Sequence, residues 1–239
     1  MKRDYTRIAV LFPPYGLIHN ELCRLAGERS AEAVIFRVPA GDAPVDPESF
    51  VGNLDANVRA LRTMGGLDTL RRVAAETTTV YPDVVAWACT SGSFIGDGHT
   101  LDHQIDVMRD AAGVPATTTS VAIIHALRRR NLARLCVLTP YVREVGEPFV
   151  GFLESHGFEV LAHGHAGRIT DEEIGLLTID DFAPLVEAVW RPEAEVIVIP
   201  CTAVRVGTIA EGLGAACGVP VILANPATLD HAVELAARA

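Results

Sequence analysis

The sequence predicts an α/β protein with two pseudo-twofold-related lobes, each a four-stranded, mainly parallel sheet flanked by helices. Two observations predict this class. Short β-branched segments alternate with longer amphipathic segments along the chain, an order typical of parallel strands connected by helices. Segments of the first half also recur in the second half, as they would if one unit had been duplicated.

Eight segments are predicted to be strands because each is a short, continuous apolar run, as strands covered on both faces are. They comprise residues 7–12, 33–38, 83–88, 115–118, 134–139, 158–164, 195–200 and 219–224. Amphipathic segments between them predict helices, among them residues 97–112, 120–130, 141–156, 178–190 and 226–237.

The internal repeat is clearest in three pairs of segments. These pair residues 7–13 with 134–140, 83–90 with 195–202, and 113–115 with 218–220. In the second pair, a strand is followed in both halves by a cysteine and a threonine. Two such lobes would pack about a pseudo-twofold axis, so that matched strand ends face one cleft. We therefore predict a first lobe of residues 1–118 with the C-terminal helix 225–239, a second lobe of residues 119–224, and an active site between them.

Composition and charge exclude several classes of function. The chain has 239 residues, with 20 Lys and Arg against 30 Asp and Glu, and its formal net charge is -10. Because no basic stripe is available to neutralise phosphates, we expect no nucleic-acid partner. The longest apolar runs fall far short of the roughly 20 residues of a membrane span, so we expect a cytoplasmic protein with no secretory signal and no membrane association. The hydrophobic fraction of 49% suggests apolar helix faces buried in a homodimer.

The numbers of lysines and cysteines limit which kinds of catalysis the chain can perform. Lys2, the sole lysine, lies at the N-terminus, so the interior lysine of a Schiff-base or phosphate-loop enzyme is missing. The five cysteines are widely spaced and include no CxxC pair. In a cytosolic chain, this pattern favours free thiols over disulfides.

Two pairs of histidines have the spacing of metal ligands. His99 and His103 are one helical turn apart, and His163-Gly164-His165 lies at the end of a predicted strand. Zinc sites use such spacings. Because no third, carboxylate-bearing ligand accompanies either pair in the sequence pattern, we predict no metal site.

Four motifs follow predicted strands, at the edge of a parallel sheet where ligands bind. They are Pro13-Pro14-Tyr15-Gly16, Cys89-Thr90-Ser91-Gly92-Ser93, Thr139-Pro140-Tyr141 and Cys201-Thr202-Ala203. In the second motif, successive backbone N–H groups can form a concavity suited to an anion, and three hydroxyls add donors. We expect the positive field of this loop to lower the pKa of the Cys89 thiol and to hold a substrate carboxylate.

Two thiols that face one cleft have a specific chemical use. One thiolate can remove a proton from the carbon beside a carboxylate while the opposing thiol returns a proton to the other face, which inverts the stereocentre. Alternatively, the thiolate adds to an electron-poor double bond and the thiol protonates the neighbouring carbon, which allows rotation and elimination. Because its loop offers more donors, Cys89 is predicted to be the nucleophile or base, and Cys201 the opposing acid.

On the basis of these motifs, the sequence resembles the aspartate/glutamate racemase superfamily. Within that superfamily, it resembles the branch that contains the maleate cis–trans isomerases and the arylmalonate decarboxylases. The resemblance extends from Arg7 to the last helix. It implies an oxyanion pocket built from Thr90, Ser91 and Tyr141 and completed by the backbone near Cys201. The implied substrate is a small carboxylate, bound without a cofactor. The predicted substrate-binding residues are Pro14, Tyr15, Thr90, Ser91, Tyr141, Thr202 and Ala203.

Departures from the family pattern leave the substrate open. Maleate isomerases usually carry an asparagine in the first loop, where this chain has Pro13-Pro14-Tyr15-Gly16, and Asp171 replaces a second family asparagine. The proline pair is similar to that of arylmalonate decarboxylases, but these have glycine where Cys89 stands. The predicted function is therefore a two-cysteine isomerase or racemase of a small carboxylic or dicarboxylic acid. The alternatives are an arylmalonate-type decarboxylase and an inactive ligand-binding homologue.

Overall fold

The computed structural model describes residues 3–14, 18–41, 53–95, 100–218 and 220–239. Within these ranges the strands are β1 (Thr6–Phe12), β2 (Ala31–Arg37), β3 (Val84–Trp87), β4 (Ala116–Thr118), β5 (Arg134–Tyr141), β6 (Glu159–Arg168), β7 (Val196–Ile199) and β8 (Val221–Leu223). The helices are α1 (His19–Gly27), α2 (Leu54–Met64), α3 (Leu67–Glu76), α4 (Thr90–Phe94), α5 (Thr100–Ala112), α6 (Thr119–Arg129), α7 (Arg143–Ser155), α8 (Asp171–Gly175), α9 (Ile179–Val189), α10 (Gly207–Cys217) and α11 (Ala224–Arg238). None of the described helices combines the length and the apolar character that crossing a membrane requires.

The strands form two four-stranded sheets in which every described pair is parallel. The first sheet has the order β2-β1-β3-β4, and the second has the order β6-β5-β7-β8. Strands that match in sequence therefore occupy the same place in the two sheets, since β1, β3 and β4 correspond to β5, β7 and β8. The predicted fold class, with two related four-stranded sheets flanked by helices, is confirmed.

The boundary of β6 differs most from the prediction. This strand continues to Arg168, beyond the predicted end at Gly164, and pairs with β5, which also continues past its predicted end, to Tyr141. Glycine normally interrupts a strand pattern, but Gly164 lies inside the strand because α9 packs closely against it. A Cβ at this position would lie 3.1 Å from the Val189 side chain.

Successive side chains of each sheet pack into separate cores on its two faces. In the first sheet, Leu11 faces a core shared with α2, α3 and α5, whereas its neighbour Val10 faces a core formed with α1 and α11. In the second sheet, Leu138 faces α9 and α10, and Val137 faces α6 and α7. Helices thus cover both faces of both sheets, which explains why the central strands β1, β3, β5 and β7 are buried along nearly their whole length.

Helices α6 and α11 contact each other, and each packs on one sheet although it follows the last strand of the other. Helix α6 follows β4 of the first sheet but packs on the second, whereas α11 follows β8 of the second sheet and packs on the first. Thr228 of α11 donates its hydroxyl to Thr119 Oγ1 of α6 over 2.9 Å. The rings of His125 and His231 stack with their centroids 4.2 Å apart. Each sheet is therefore covered by a helix that follows the other sheet.

Candidate active site

Cys89 lies at the carboxyl end of β3, where the chain turns directly into α4. Its backbone is extended, with φ -149° and ψ 108°, and the helix begins at the next residue. The Gly92 backbone N–H donates to Cys89 Sγ over 3.3 Å, and Ser91 Oγ lies 3.8 Å from the same sulfur. A Cβ at Gly92 would lie 3.1 Å from this sulfur and 2.9 Å from the Trp87 ring. The absence of a side chain at Gly92 therefore lets the helix start close to the thiol.

Cys201 occupies the equivalent position after β7, but a turn rather than a helix follows it. The Ala203 backbone N–H donates to Cys201 Sγ over 3.3 Å. Between them, Thr202 donates its hydroxyl to the Ala88 carbonyl over 3.1 Å, and its own carbonyl accepts from Asn225 Nδ2 over 3.0 Å. Because Ala88 precedes Cys89, the bond from Thr202 ties the two cysteine-bearing segments together.

One cavity brings together residues that follow β1, β3, β5, β6 and β7. Its wall combines thiols, hydroxyls and a carboxyl group with apolar side chains from α2. The lining residues are Pro13, Asn57, Ala60, Leu61, Met64, Cys89, Thr90, Ser91, Tyr141, Thr170, Asp171, Cys201 and Thr202. Cys89 and Cys201 are only 4% and 5% exposed, so both sulfur atoms are shielded from bulk water.

Two buried hydroxyl groups of this cavity form no hydrogen bond with a nitrogen or oxygen atom of the described residues. They belong to Thr90 at the start of α4 and to Tyr141 at the end of β5. The Tyr141 hydroxyl adjoins the Cys201 thiol and forms with it a hydrogen bond that lowers the pKa of this cysteine. Buried polar groups are normally paired, so hydroxyls in a cavity wall that have no nitrogen or oxygen partner are suited to bind a ligand.

Burial raises the pKa of both thiols. For Cys89 the pKa rises to about 12 because the thiolate would lose its hydration, and the nearby charge of Asp171 adds to the rise. The Gly92 N–H and the Ser91 hydroxyl lower the pKa by less than these effects raise it. Burial and Asp171 also raise the pKa of Cys201 well above its ordinary value. The expectation of a lowered Cys89 pKa is therefore wrong, since donors in the loop do not offset lost hydration and a neighbouring carboxylate.

Asp171 brings this carboxylate into the cavity as the first residue of α8. The helix starts with a capping box, in which the Glu173 N–H donates to Thr170 Oγ1 over 3.1 Å and the Thr170 N–H donates to Glu173 Oε2 over 2.9 Å. Burial raises the pKa of Asp171 to about 6, against the opposing effect of the Arg37 charge. Asp171 is absent from the predicted site, although the Thr-x-x-Glu pattern is a signal that places a helix start here.

The predicted site residues separate into three groups. Those that line the cavity are Cys89, Thr90, Ser91, Tyr141, Cys201 and Thr202. Ala203 contributes its backbone N–H to Cys201. In the first loop, Pro13 rather than Pro14 lines the cavity, and Tyr15 lies outside the described residues. The sequence pattern contained no signal for the contribution of α2, because only tertiary packing brings that helix to the cysteines.

The fold and the cavity define a class of protein with two related α/β lobes, each of which supplies a cysteine from the end of its third strand to a shared cavity. A comparison with protein families narrows this class. The chain belongs to the arylmalonate decarboxylase family, whose model matches residues 35–239. The resemblance predicted from the cysteine motifs is therefore confirmed.

Two curated relatives match part of the chain. The arylmalonate decarboxylase of Bordetella bronchiseptica is 28% identical over 134 residues, which cover 54% of this chain and 55% of that protein. The maleate isomerase of Nocardia farcinica is 24% identical over 136 residues, which cover 54% of this chain and 54% of that protein. The chain thus spans about half the length of the curated relatives it matches.

Solved structures of both kinds of enzyme share the fold over nearly the whole chain. A maleate cis–trans isomerase variant from Nocardia farcinica, with a covalently bound succinylcysteine intermediate, matches with a TM-score of 0.78 and 18% identity. The match covers 97% of this chain and 94% of that one. Unliganded arylmalonate decarboxylase matches with a TM-score of 0.70 and 22% identity, over 97% of this chain and 92% of that one. The relatives are enzymes, and at these identities the comparison does not distinguish isomerase from decarboxylase.

Proposed function

We propose that this protein is a cofactor-independent isomerase or racemase of a small carboxylic or dicarboxylic acid, with Cys89 and Cys201 as its catalytic residues. The observation that carries this proposal is the cavity that both thiols share with the buried hydroxyls of Thr90 and Tyr141. A thiol on each side of one small molecule can exchange protons with two faces of the same carbon. In this proposal the hydroxyls of Thr90 and Tyr141 donate to the substrate carboxylate and stabilise the charge that develops on it.

For a racemisation, the reaction begins with Cys89 as the thiolate and Cys201 as the thiol. Cys89 removes the proton from the carbon next to the carboxylate, and the electron pair of the broken C–H bond moves into an enediolate. Cys201 then gives its proton to the opposite face of that carbon. The product leaves Cys89 as the thiol and Cys201 as the thiolate, so that the reverse reaction uses the same groups in exchanged roles.

For a cis–trans isomerisation, the Cys89 thiolate forms a C–S bond to one carbon of the double bond while Cys201 protonates the other. Rotation follows about the new C–C single bond. The Cys201 thiolate then removes the proton, the C–S bond breaks, and the double bond returns in the other geometry. The covalently bound succinylcysteine intermediate of the Nocardia farcinica enzyme supports such an addition in a relative.

Both routes require one ionised thiol. Donors adjoin both sulfur atoms, since Cys201 contacts the Ala203 N–H and the Tyr141 hydroxyl, and we assign the thiolate to Cys89, at the start of α4. Its sulfur accepts from the Gly92 N–H and adjoins the Ser91 hydroxyl, two contacts that lower its pKa. The rise in pKa caused by burial means that only a small fraction of the enzyme carries this thiolate at neutral pH. The reaction therefore starts from this minor, ionised form of the enzyme.

The charge of Asp171 bears on the choice of substrate. A carboxylate in the cavity repels a second negative charge, and Arg37 is the cation that opposes its effect. A substrate with one carboxylate is repelled less than one with two, and a donor group placed toward Asp171 offsets the repulsion. A panel of substrates should therefore include α-substituted monocarboxylic acids as well as maleate.

The test is a substrate panel assayed by proton NMR in deuterium oxide. It contains maleate, single enantiomers of α-substituted acids, and a phenylmalonate. We expect isomerisation or racemisation with deuterium incorporated at the reacting carbon, and a loss of about 10³-fold or more in turnover for both Cys89→Ala and Cys201→Ala. The matched control is Cys23→Ala, an exposed thiol outside the cavity. Activity close to that of the wild type in either cavity variant would exclude the two-thiol mechanism.

Decarboxylation of an arylmalonate is the second candidate, because the chain belongs to the family named for that reaction. Release of carbon dioxide from the phenylmalonate, retained in Cys89→Ala and lost in Cys201→Ala, would establish this reaction instead. If no acid in the panel reacts, protection of the two thiols from alkylation by one of these acids would indicate a ligand-binding homologue.

A further inference from the structure

A second cluster of polar side chains lies in the second sheet, away from the cysteine cavity. His163 and His165 of β6 and Glu147 of α7 each offer one ligand atom, and these atoms lie within 4.8 Å of one another. The sequence pattern shows no carboxylate ligand beside His163-Gly164-His165, whereas the structure places Glu147 there. The carboxylate comes from a helix that is separate in sequence but packs against the strand.

We propose that Glu147, His163 and His165 form a binding site for a zinc ion. Tetrahedral zinc has bonds of about 2.0–2.1 Å to nitrogen and oxygen, which places neighbouring ligand atoms about 3.4 Å apart. Here His163 Nδ1 lies 3.2 Å from His165 Nε2, which is 3.7 Å from Glu147 Oε1. Two imidazole nitrogens with one carboxylate oxygen are a donor set that suits zinc better than magnesium or calcium.

The backbone of β6 directs both histidines toward α7. Residues separated by two positions share one face of a strand, and the intervening Gly164 faces α9 on the other side. The pairing of β5 with β6 shifts register between Leu135 and Cys136 and again between Thr139 and Tyr141, on either side of the histidines. Such bulges re-aim side chains and are common near functional sites.

Two further residues orient His165. Thr139 Oγ1 lies 2.7 Å from His165 Nδ1, so that the other ring nitrogen, Nε2, faces His163 and Glu147. Metal-bound histidines typically use their second nitrogen in this way. A Cβ at Gly146 would lie 2.2 Å from His165 Nδ1, so the lack of a side chain there lets α7 approach the ring. The imidazole of His165 is therefore held through Nδ1, and Nε2 stays available to the ion.

The cluster is accessible to an ion from solution. The side chain of Glu147 is 41% exposed and that of His163 is 29% exposed, which leaves room for water as a fourth ligand. Arg143 donates to Glu147 Oε1 over 2.5 Å, but its own side chain is 70% exposed. An ion pair this exposed contributes little free energy, so zinc can displace it.

A zinc ion here would join α7 to β6, which is an edge strand of the second sheet. The carboxyl end of β6 leads through Thr170 to Asp171 in the cysteine cavity. The ion is therefore expected to stabilise the second sheet and the segment that carries Asp171, without taking part in the thiol chemistry.

The test is isothermal titration calorimetry of the chelator-treated protein with zinc chloride. We expect one site per chain with a dissociation constant in the micromolar range or below, and a loss of affinity of at least about tenfold in Glu147→Gln and in His163→Gln. Glu144→Gln and His156→Gln are matched controls on and next to the same helix, and both should bind zinc as the wild type does. Circular dichroism checks that each variant is folded.

Because thiols also bind zinc, cobalt(II) serves as a second probe. A cobalt ion bound by thiolate has a strong near-ultraviolet charge-transfer absorption, whereas nitrogen and oxygen ligands produce only the visible bands of the tetrahedral ion. We expect the visible bands alone, and their loss in Glu147→Gln. A failure to bind zinc, binding that is unchanged in both Glu147→Gln and His163→Gln, or a thiolate band in the cobalt spectrum would overturn the proposal.

Discussion

The two cysteine loops occupy equivalent places in the two sheets, but their threonines have different roles. After Cys201, the Thr202 hydroxyl donates to the Ala88 carbonyl and joins the two loops. After Cys89, the Thr90 hydroxyl is buried in the cavity wall and has no partner among the described residues. The same cysteine-threonine pair therefore contributes a structural bond in one half and an unpaired donor in the other. A duplicated sequence motif does not imply a duplicated function, because the turn that follows it decides where its side chains point.

Each sheet has an edge strand that pairs with its neighbour, β2 with β1 and β6 with β5, and the residues at the ends of these two pairs also have different roles. At the end of β1 and β2, Phe12 pairs with Arg37, whose guanidinium lies 5.3 Å from the Phe12 ring centroid. At the equivalent end of β5 and β6, Thr139 pairs with His165 and contacts its ring. The first pair places a cation near Asp171, and the second holds a histidine of the proposed zinc site. Equivalent backbone positions thus support different chemistry in the two halves.

The largest effect that tests this comparison is expected from replacing each threonine with valine. Thr90→Val should lower kcat/KM for the substrate found in the panel by about 100-fold, the typical effect of removing one oxyanion donor. Its free energy of unfolding should not fall, because the hydroxyl has no partner to lose. Thr202→Val should instead lower the free energy of unfolding by about 1–2 kcal/mol, because the Ala88 carbonyl stays buried without its donor.

Steady-state kinetics and urea denaturation of both variants measure the two effects. Thr90→Val serves as the stability control for Thr202→Val. If Thr90→Val kept the kcat/KM of the wild type, the unpaired hydroxyl would have no part in substrate binding, and the contrast between the loops would be purely structural.

A smaller effect is expected from Gly92→Ala. This variant tests whether activity depends on the helix that begins directly after Cys89, a feature that the loop after Cys201 lacks. The added Cβ would lie 3.1 Å from Cys89 Sγ and 2.9 Å from the Trp87 ring, so the thiol or the ring must move. We expect turnover to fall about tenfold through misplacement of the sulfur. In the second loop the equivalent residue is Val204, so a side chain is tolerated there.

The control for this variant is Gly151→Ala in α7, where no heavy atom lies within 4 Å of the new Cβ. It should keep full activity and gain roughly 0.5–1 kcal/mol in free energy of unfolding, because alanine favours the helix. Equal turnover in Gly92→Ala and Gly151→Ala would show that the position of the Cys89 sulfur tolerates displacement.

The smallest effect is expected from Asp171→Asn, which removes a charge that acts on both loops. The carboxylate raises the pKa of Cys89 and of Cys201, so its removal should lower both and increase the fraction of thiolate at neutral pH. We expect each thiol to react with iodoacetamide about three- to tenfold faster at pH 7, as measured by mass spectrometry of the labelled peptides. An increase confined to one cysteine would show that Asp171 acts on one loop alone.

The same variant has a predicted dependence of stability on pH. Because the pKa of Asp171 is raised to about 6 in the folded protein, the ionised group costs free energy above that pH and nothing below its ordinary pKa near 4. Asp171→Asn should therefore raise Tm at pH 7 and leave it nearly unchanged at pH 4. A lower Tm at pH 7 would mean that the interaction with Arg37 outweighs the burial of the carboxylate.

The sequence by itself determined the two sheets, the correspondence between their strands and the positions of both cysteines after matched strands. These features depend on local patterns, since buried parallel strands are continuous apolar runs and the residues that follow them lie at one edge of the sheet. Tertiary structure decided the pKa of the thiols, the unequal roles of Thr90 and Thr202, and the place of Asp171 and α2 in the cavity. It also decided that Glu147 accompanies the two histidines. These features depend on burial and on contacts between segments far apart in sequence, which a local pattern does not encode.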